Sequence, residues 1–273
     1  MENFEDKSSK GWTNALSHFS TVSLMDLSPV ANLNRRDTKF IFNEQILSDL
    51  LTELIPHYSI LEIDSHRLFE YQNRYFDTTD FLLYMQHHNG VRPRFKVRFR
   101  KYETGTQFFE IKEKNNQGRT IKRRILADPE SDTFAADQDA LVSFITDPMR
   151  ELLVTESTIE ADQFLRSVFL NYSRLTLVDR QFQERITIDS NVISRANGNW
   201  KGFPGLAIAE VKQQRFNPKS TVIRAMGKRS IISTRFSKYC IGIHHHFTVK
   251  YNRFKPRLLR MDRIMSTAEK ELT

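Results

Sequence analysis

In the stretch Arg94–Tyr102, Arg94, Lys96, Arg98, Arg100 and Tyr102 fall at even positions, and Phe95, Val97 and Phe99 fall between them. Successive side chains of a β-strand point to opposite faces. The stretch therefore predicts a strand with one basic face and one apolar face. The next run, Gln107–Lys114, sets Glu110, Lys112 and Lys114 against Phe109 and Ile111, and Arg119–Ala127 sets Lys122 and Arg124 against Ile121 and Ile125. Glu103-Thr104-Gly105 and Asn115–Gly118 supply hairpin-like turns between the three runs. The pattern returns where Arg185, Thr187 and Asp189 alternate with Ile186 and Ile188, and where Glu210 and Lys212 alternate with Ala209 and Val211. Near the start, Asp37 and Lys39 alternate with Thr38 and Phe40. Arg74 lies in a strand-like run ending at Asp77, and Arg174 lies in one continuing through Thr176.

One such strand is the ordinary wet face of an antiparallel sheet. Solvated faces mix Thr, Ser, Glu, Gln and Lys, whereas here Arg and Lys recur with a few isolated carboxylates. If the sheet closes on itself, the apolar faces pack outward against helices and the basic faces line the interior. Like charges crowded there repel strongly unless an anion and a cation normally fill the space. A barrel of about eight strands has room for one small ligand. The implied ligand is small and highly anionic, and a triphosphate fits, because the planar fork of Arg grips phosphate oxygens in pairs.

The rest of the chain frames this sheet. It has 273 residues, with 41 Lys and Arg against 33 Asp and Glu, for a net charge of +8 that points to a polyanionic partner. The single cysteine, Cys240, excludes a disulfide framework and a Cys-based zinc cluster. Met1–Gly11 is acidic and polar, and no apolar run approaches the roughly 18 residues of a membrane span. A soluble, cytoplasmic protein is expected. Residues 1–31 read as a mobile or docking arm, 32–253 as one α+β domain, and 254–273 as a basic helical tail. Asn43 caps a helical pattern ending before Pro56, residues 80–88 and 137–166 read as mostly helical, and a further helix opens at Asn217-Pro218. His244, His245 and His246 read as strand residues, where three neighbours cannot all face one metal ion. Trp12 and Trp200 are open between core and base stacking.

The stretches Thr38-Lys39-Phe40, Arg74-Tyr75-Phe76-Asp77-Thr78, Val97–Tyr102, Phe109-Glu110-Ile111-Lys112, Ala209-Glu210-Val211-Lys212 and Arg235–Tyr239 resemble, in order, the catalytic domain of the vacuolar transporter chaperone (VTC) complex. That domain is a polyphosphate polymerase of the triphosphate tunnel metalloenzyme (CYTH-like) superfamily. The resemblance implies an eight-stranded antiparallel β tunnel, closed as a barrel, with flanking helices. It also implies transfer of the ATP γ-phosphoryl group to a growing polyphosphate chain with a divalent metal, Mn²⁺ preferred or Mg²⁺. Carried over by motif, Lys39, Arg98, Arg100, Lys112 and Lys238 resemble phosphate ligands, and Arg185 lies in a strand that contacts the transferred phosphates. Arg74 and Lys122 or Arg124 are further candidates for substrate contact, and the alternation adds Arg174 and Lys212. Glu210 resembles the metal-binding carboxylate, with an ion pair to Lys212 or a neighbouring Arg as its alternative. Asp189 is open between metal support and an ion pair, and Glu110 fits an ion pair.

The superfamily's wider Glu-x-Glu-x-Lys signature is reduced here to Asp37-Thr38-Lys39. That disfavours the triphosphatase and adenylate cyclase branch and is shared with the polymerase branch. Neither an SPX domain nor a membrane segment is present in the sequence, so a stand-alone bacterial-type member is expected. A triphosphatase using water as acceptor, a non-catalytic polyphosphate-binding module and a general nucleic-acid binder are the competing readings. The last predicts basic residues on an outer face, whereas the alternation places them inside. Lumen repulsion further predicts that removing Arg98 and Arg100 abolishes triphosphate binding while leaving stability equal or higher.

Overall fold

The computed structural model describes residues 11–27, 36–135 and 139–270. Its strands are β1 (Ser20–Val22), β2 (Arg36–Asn43), β3 (Tyr58–Leu61), β4 (Phe69–Asp77), β5 (Arg94–Tyr102), β6 (Gln107–Lys114), β7 (Thr120–Ala127), β8 (Arg166–Asp179), β9 (Glu184–Ala196), β10 (Asn199–Gly202) and β11 (Leu206–Gln213). The α-helices are α1 (Leu47–Leu54), α2 (Leu82–Asn89), α3 (Asp147–Ser157), α4 (Thr221–Lys228), α5 (Lys238–His246) and α6 (Lys255–Lys270). Asn43 caps the first helical turn by accepting from the Gln45 N–H at 3.0 Å. Gly90, at φ 73°, ends α2 in the left-handed conformation that glycine adopts without steric cost. Of the expected helix over 137–166, only α3 is α-helical; short 3₁₀ turns at Leu141–Ser143 and Ala161–Gln163 flank it, and residues 137 and 138 lie outside the described residues.

The main sheet runs β2-β11-β9-β8-β4-β5-β6-β7, every adjacent pair antiparallel. β10 extends β9, and β3, joined in parallel by β1, pairs with the end of β8. The architecture is α+β with a large antiparallel sheet and flanking helices, as the sequence predicts. The expected closed barrel is not formed: no hydrogen bonds join the end strands β2 and β7 among the described residues. The outward edge of β2 has other partners. Its Lys39 carbonyl accepts from the Thr234 N–H at 2.8 Å, and its Ile41 carbonyl accepts from the Arg260 guanidinium at 3.2 Å. The sheet is nonetheless curled, because one cleft is lined both by Asp37 and Lys39 of β2 and by Lys112, Lys114 and Thr120 of β6 and β7. It forms a channel with an open seam.

The apolar faces point outward. Phe40, Phe42, Ile186, Ile188, Ala209 and Val211 pack under α1 and α4, together with Trp12, Leu16 and Phe19. Residues 11–27 are thus docked on the domain and Trp12 is a core residue, while 1–10 and 28–31 of the expected arm lie outside the described residues. Val97, Phe99, Phe109 and Ile111 pack under Leu141, Met149 and Leu153. The expected helical tail is α6, whose Leu258 and Met261 are buried in this same core.

One end of the inner face is filled by α5. Gly242 permits this, since a Cβ there would lie 3.2 Å from both Leu170 Cδ1 and Val168 Cγ2. The three histidines therefore belong to a helix, contrary to the strand reading. Their surroundings explain them: His245 lies against Phe203, His244 against Tyr251, and His246 Nε2 is 2.9 Å from Ser194 Oγ.

Candidate active site

Strand parity decides which side chains enter the channel. β5 presents Arg94, Lys96, Arg98 and Arg100. Register places Lys96 opposite Lys112 and Arg98 opposite Glu110 on β6, and Lys122 and Arg124 of β7 continue the row. From the other end, β2 and β11 present Lys39 opposite Glu210 and Asp37 opposite Lys212, and Lys212 faces Arg185 on β9. Arg174 on β8 faces Asp189 on β9. The N-terminus of α5 adds Lys238.

Each deep carboxylate holds two cations. Glu110, 1% exposed, accepts from Arg98 Nε at 2.8 Å and Nη2 at 2.5 Å, and pairs with Lys122. Burial alone would raise its pKa, but Arg98, Arg100 and Lys122 hold it well below the carboxylate range. Asp189 takes the guanidinium fork of Arg174 at 2.5 and 2.9 Å, and also Lys238. Its pKa is lowered to about 2, because Arg174 and Lys238 outweigh burial. Glu210 has Lys39 Nζ at 2.6 Å and Lys212 Nζ at 3.6 Å, and with Lys112 these hold it well below its ordinary value against burial.

These pairs change one expectation. Removing Arg98 leaves Glu110 buried with half its neutralising charge, which costs about 3 kcal/mol rather than relieving repulsion. Arg98→Ala is expected to lower stability by that order in denaturant unfolding, and adding Glu110→Gln is expected to recover most of it.

Other cations form no ion pair with a carboxylate among the described residues. Lys96 and Lys112 have no hydrogen bond or ion pair among the described residues, although they face each other across β5 and β6. Burial, reinforced by Lys112, Lys39 and Arg98, lowers the Lys96 pKa to about 7, and burial also lowers that of Lys112. Arg100 donates to Asn73 Oδ1 at 2.9 Å and Tyr172 OH at 3.4 Å, and Arg124 stacks on Phe108 at 4.4 Å. Tyr71, Tyr75, Tyr102 and Tyr172 line the same stretch, with Tyr71 and Tyr172 stacked at 5.5 Å. Lys96 and these tyrosines are additions to the predicted set. Lys96 shares the parity of Arg94 and Arg98, and that signal alone could have found it.

Arg74 is a correction. It pairs in register with Phe99 on the outward face and is fully buried there. Its guanidinium donates to Ser167 Oγ at 3.2 Å and the Thr133 carbonyl at 2.8 Å, between the rings of Phe144 and Phe169 at 4.6 and 4.5 Å. It cannot touch a ligand in the channel.

For a metal, no three His, Cys, Asp or Glu side chains converge among the described residues. Asp189 is committed to Arg174 and Lys238, and sits two residues out of register with Glu210, which faces Thr187 while Asp189 faces Ile208. Glu210 therefore stands apart from Asp189, with Asp37 as its diagonal neighbour on the same face. That donor set suits a hard divalent cation arriving on phosphate oxygens, a mode that needs only one or two protein carboxylates.

Beyond Lys96 and Lys112 the channel opens into a cleft of about 530 Å³. Lys39, Arg94, Lys96, Lys112 and Lys114 line it, with residues from α2, the segment before α5 and the start of α6.

The profile of a family described as VTC domain matches residues 34–247. No curated protein matches the chain. Among solved structures, it is similar to one titled "The crystal structure of the hypothetical protein NE1496", at 12% identity over 77% of this chain and 97% of that chain, TM-score 0.30. It is also similar to "The crystal structure of the inorganic triphosphatase NE1496", at 13% identity over 68% of this chain and 78% of that chain, TM-score 0.27.

Proposed function

The chain belongs to the VTC-domain family, and we propose from that premise that it is a metal-dependent polyphosphate polymerase that transfers the γ-phosphoryl group of ATP to a polyphosphate end. The observation that carries this reading is the cationic row of Lys96, Lys112 and Arg100, none of them in an ion pair among the described residues, continuous with the open cleft. From Arg94 to Arg100 the row runs about 20 Å along β5 at roughly 3.3 Å per residue. That exceeds a single triphosphate and leaves room for an acceptor chain.

The acids present support an acceptor that is already ionised. Glu110, Asp189 and Glu210 are all held ionised at low pKa by paired cations, so they are weak proton acceptors. Burial lowers the pKa of His87, at the cleft, to about 2. Water as nucleophile needs a base; a polyphosphate terminus is already ionised and needs none. Lys96, whose pKa burial lowers to about 7, is held as the ammonium by a bound polyanion and so offers no base to water there. This favours polymer extension over hydrolysis. A terminal phosphate oxygen attacks the γ-phosphorus, the bond to the β–γ bridging oxygen breaks, and ADP leaves with that electron pair. Lys39, Lys96, Arg98, Arg100 and Lys112 orient the phosphates and offset the charge spread over the phosphoryl oxygens. Glu210 would hold the divalent ion, which supplies further neutralisation of phosphate charge when bound.

The test is to incubate the protein with ATP, Mn²⁺ or Mg²⁺ and a short polyphosphate primer, resolving products on a urea gel while assaying free phosphate. A ladder of lengthening chains is expected. Phosphate release without a ladder moves the assignment to a triphosphatase, and tight binding without either product moves it to a binding module.

A further inference from the structure

A second cluster of cations rims the cleft beyond Lys96 and Lys112, with Arg94 the residue where the inner row passes into it. Arg92 and Arg94 precede and begin β5, Lys114 ends β6, Arg235 lies before α5, and Arg253 and Arg257 come from the C-terminal segment around the start of α6. The last two lie beyond residue 247, where the family match stops. None of the six has a carboxylate partner among the described residues. They are held by neutral groups: Arg94 donates to the Val91 carbonyl at 3.4 Å, Arg253 donates to the Asn89 carbonyl, and Arg257 stacks on Phe254 at 5.4 Å. Arg92 lies under the β6–β7 turn, where a Cβ at Gly118 would meet its Nη1 at 3.2 Å. The six also act on one another. Burial together with Arg92 and Arg235 disfavours the charge of Arg94; burial, Arg94, Arg92 and Arg235 disfavour that of Lys114; and burial and Arg235 disfavour that of Arg257.

Asp37 and Glu113 line the same cleft, and Asp37 partly offsets the repulsion on Lys114, but neither forms an ion pair with any of the six among the described residues. Cations tethered by carbonyls and rings keep their charge available to an outside anion. We propose that this rim is a separate polyphosphate-binding subsite, formed partly by the C-terminal segment, that grips phosphate units of an acceptor chain several units away from the reacting end. The inference rests on the polyphosphate reading above. It adds that affinity rises with chain length, and that ATP draws nothing from this subsite.

The experiment compares wild type with Arg235→Ala/Arg257→Ala and with the charge-conserving Arg235→Lys/Arg257→Lys. Binding of tripolyphosphate, of a long polyphosphate and of ATP is measured by calorimetry at fixed salt, with thermal melting as the check on folding. Arg235 is exposed and Arg257 half-buried, so both variants are expected to melt with the wild type. The alanine pair is expected to weaken long polyphosphate about tenfold or more, leave tripolyphosphate and ATP within about twofold, and be largely rescued by the lysine pair. Equal loss for all three ligands, loss confined to ATP, or no loss overturns the subsite. Should the alanine pair melt early, Arg257→Gln alone replaces it, with the same outcomes deciding. Because the readout is binding, a protein that fails to extend a primer yet shows this length dependence loses the polymerase assignment and keeps the subsite. A duplex DNA of matched charge binding as tightly as long polyphosphate also overturns it.

Discussion

Replacing Lys96 and Lys112 together by Met is expected to raise the melting temperature while removing most of the affinity for triphosphate. The two side chains face each other across β5 and β6, and like charges directly opposite on one sheet face are destabilising. Neither has an ion pair among the described residues, and burial with mutual repulsion brings the Lys96 pKa to about 7. Met keeps the length and apolar body of the lysine stem and removes the charge. A gain of about 1–2 kcal/mol follows, a shift of about 2–6 °C for a chain of this size. In the bound state the same ammonium groups meet phosphate oxygens. Each charge-assisted hydrogen bond contributes about 1.5–3 kcal/mol, so losing both weakens binding by roughly a hundredfold to ten-thousandfold. Calorimetric melting and titration on one sample read both effects; a lower melting temperature would show that the lysines are structural.

The same lysine couples binding to pH. Its folded pKa of about 7 lies below the unfolded value of 10.5, so between those values the unfolded chain binds more protons than the folded one. Stability from this residue therefore rises as pH goes from 7 toward 10. Ligand affinity moves the other way. A bound polyanion favours the ammonium form, so binding takes up a proton and weakens as pH rises above 7. Titrations in two buffers of different ionisation enthalpy are expected to show that uptake in the wild type and its loss in Lys96→Met.

Much of the channel is legible in sequence because an antiparallel strand with one buried face must alternate. In β5 and β6 the apolar residues Val97, Phe99, Phe109 and Ile111 fix the parity, and with it the inward course of Lys96, Arg98, Arg100, Glu110 and Lys112. β4 does not alternate in this way. Its run Tyr71-Gln72-Asn73-Arg74-Tyr75-Phe76 carries aromatic and polar residues on both parities, because both of its faces are covered, so parity is not readable. The open seam was hidden for a different reason: the groups that occupy the edge of β2, Thr234 and Arg260, are about 200 residues away in sequence. The helix α5 was hidden by its His-rich end and by its apolar environment, which removes the polar face that marks a surface helix. Charge pairing was legible only as composition. Which arginine serves a carboxylate and which lysine stands alone depends on register, and register makes Arg98 a partner of Glu110 and leaves Lys96 facing Lys112.

Arg74 offers the sharpest separation of structure from ligand chemistry. Arg74→Ala is expected to cost about 3–5 kcal/mol, since it leaves a void among Phe76, Phe144 and Phe169 and strips donors from Ser167 Oγ and the Thr133 carbonyl. Asp139, 3.7 Å from the guanidinium, loses its cation as well. Arg74→Met fills the slot between the rings and is expected to recover much of the loss, since apolar residues of similar volume commonly replace buried charges at small cost. Triphosphate affinity per folded molecule should stay within about twofold in both variants, because the side chain lies on the far side of the sheet from Lys96, Arg98 and Arg100. A phosphate ligand behaves in the opposite way: its removal lowers affinity by tenfold or more at little cost to folding. Denaturant unfolding paired with calorimetric titration of Arg74→Met distinguishes the two, and a stable Arg74→Met protein with weakened affinity would return Arg74 to the channel.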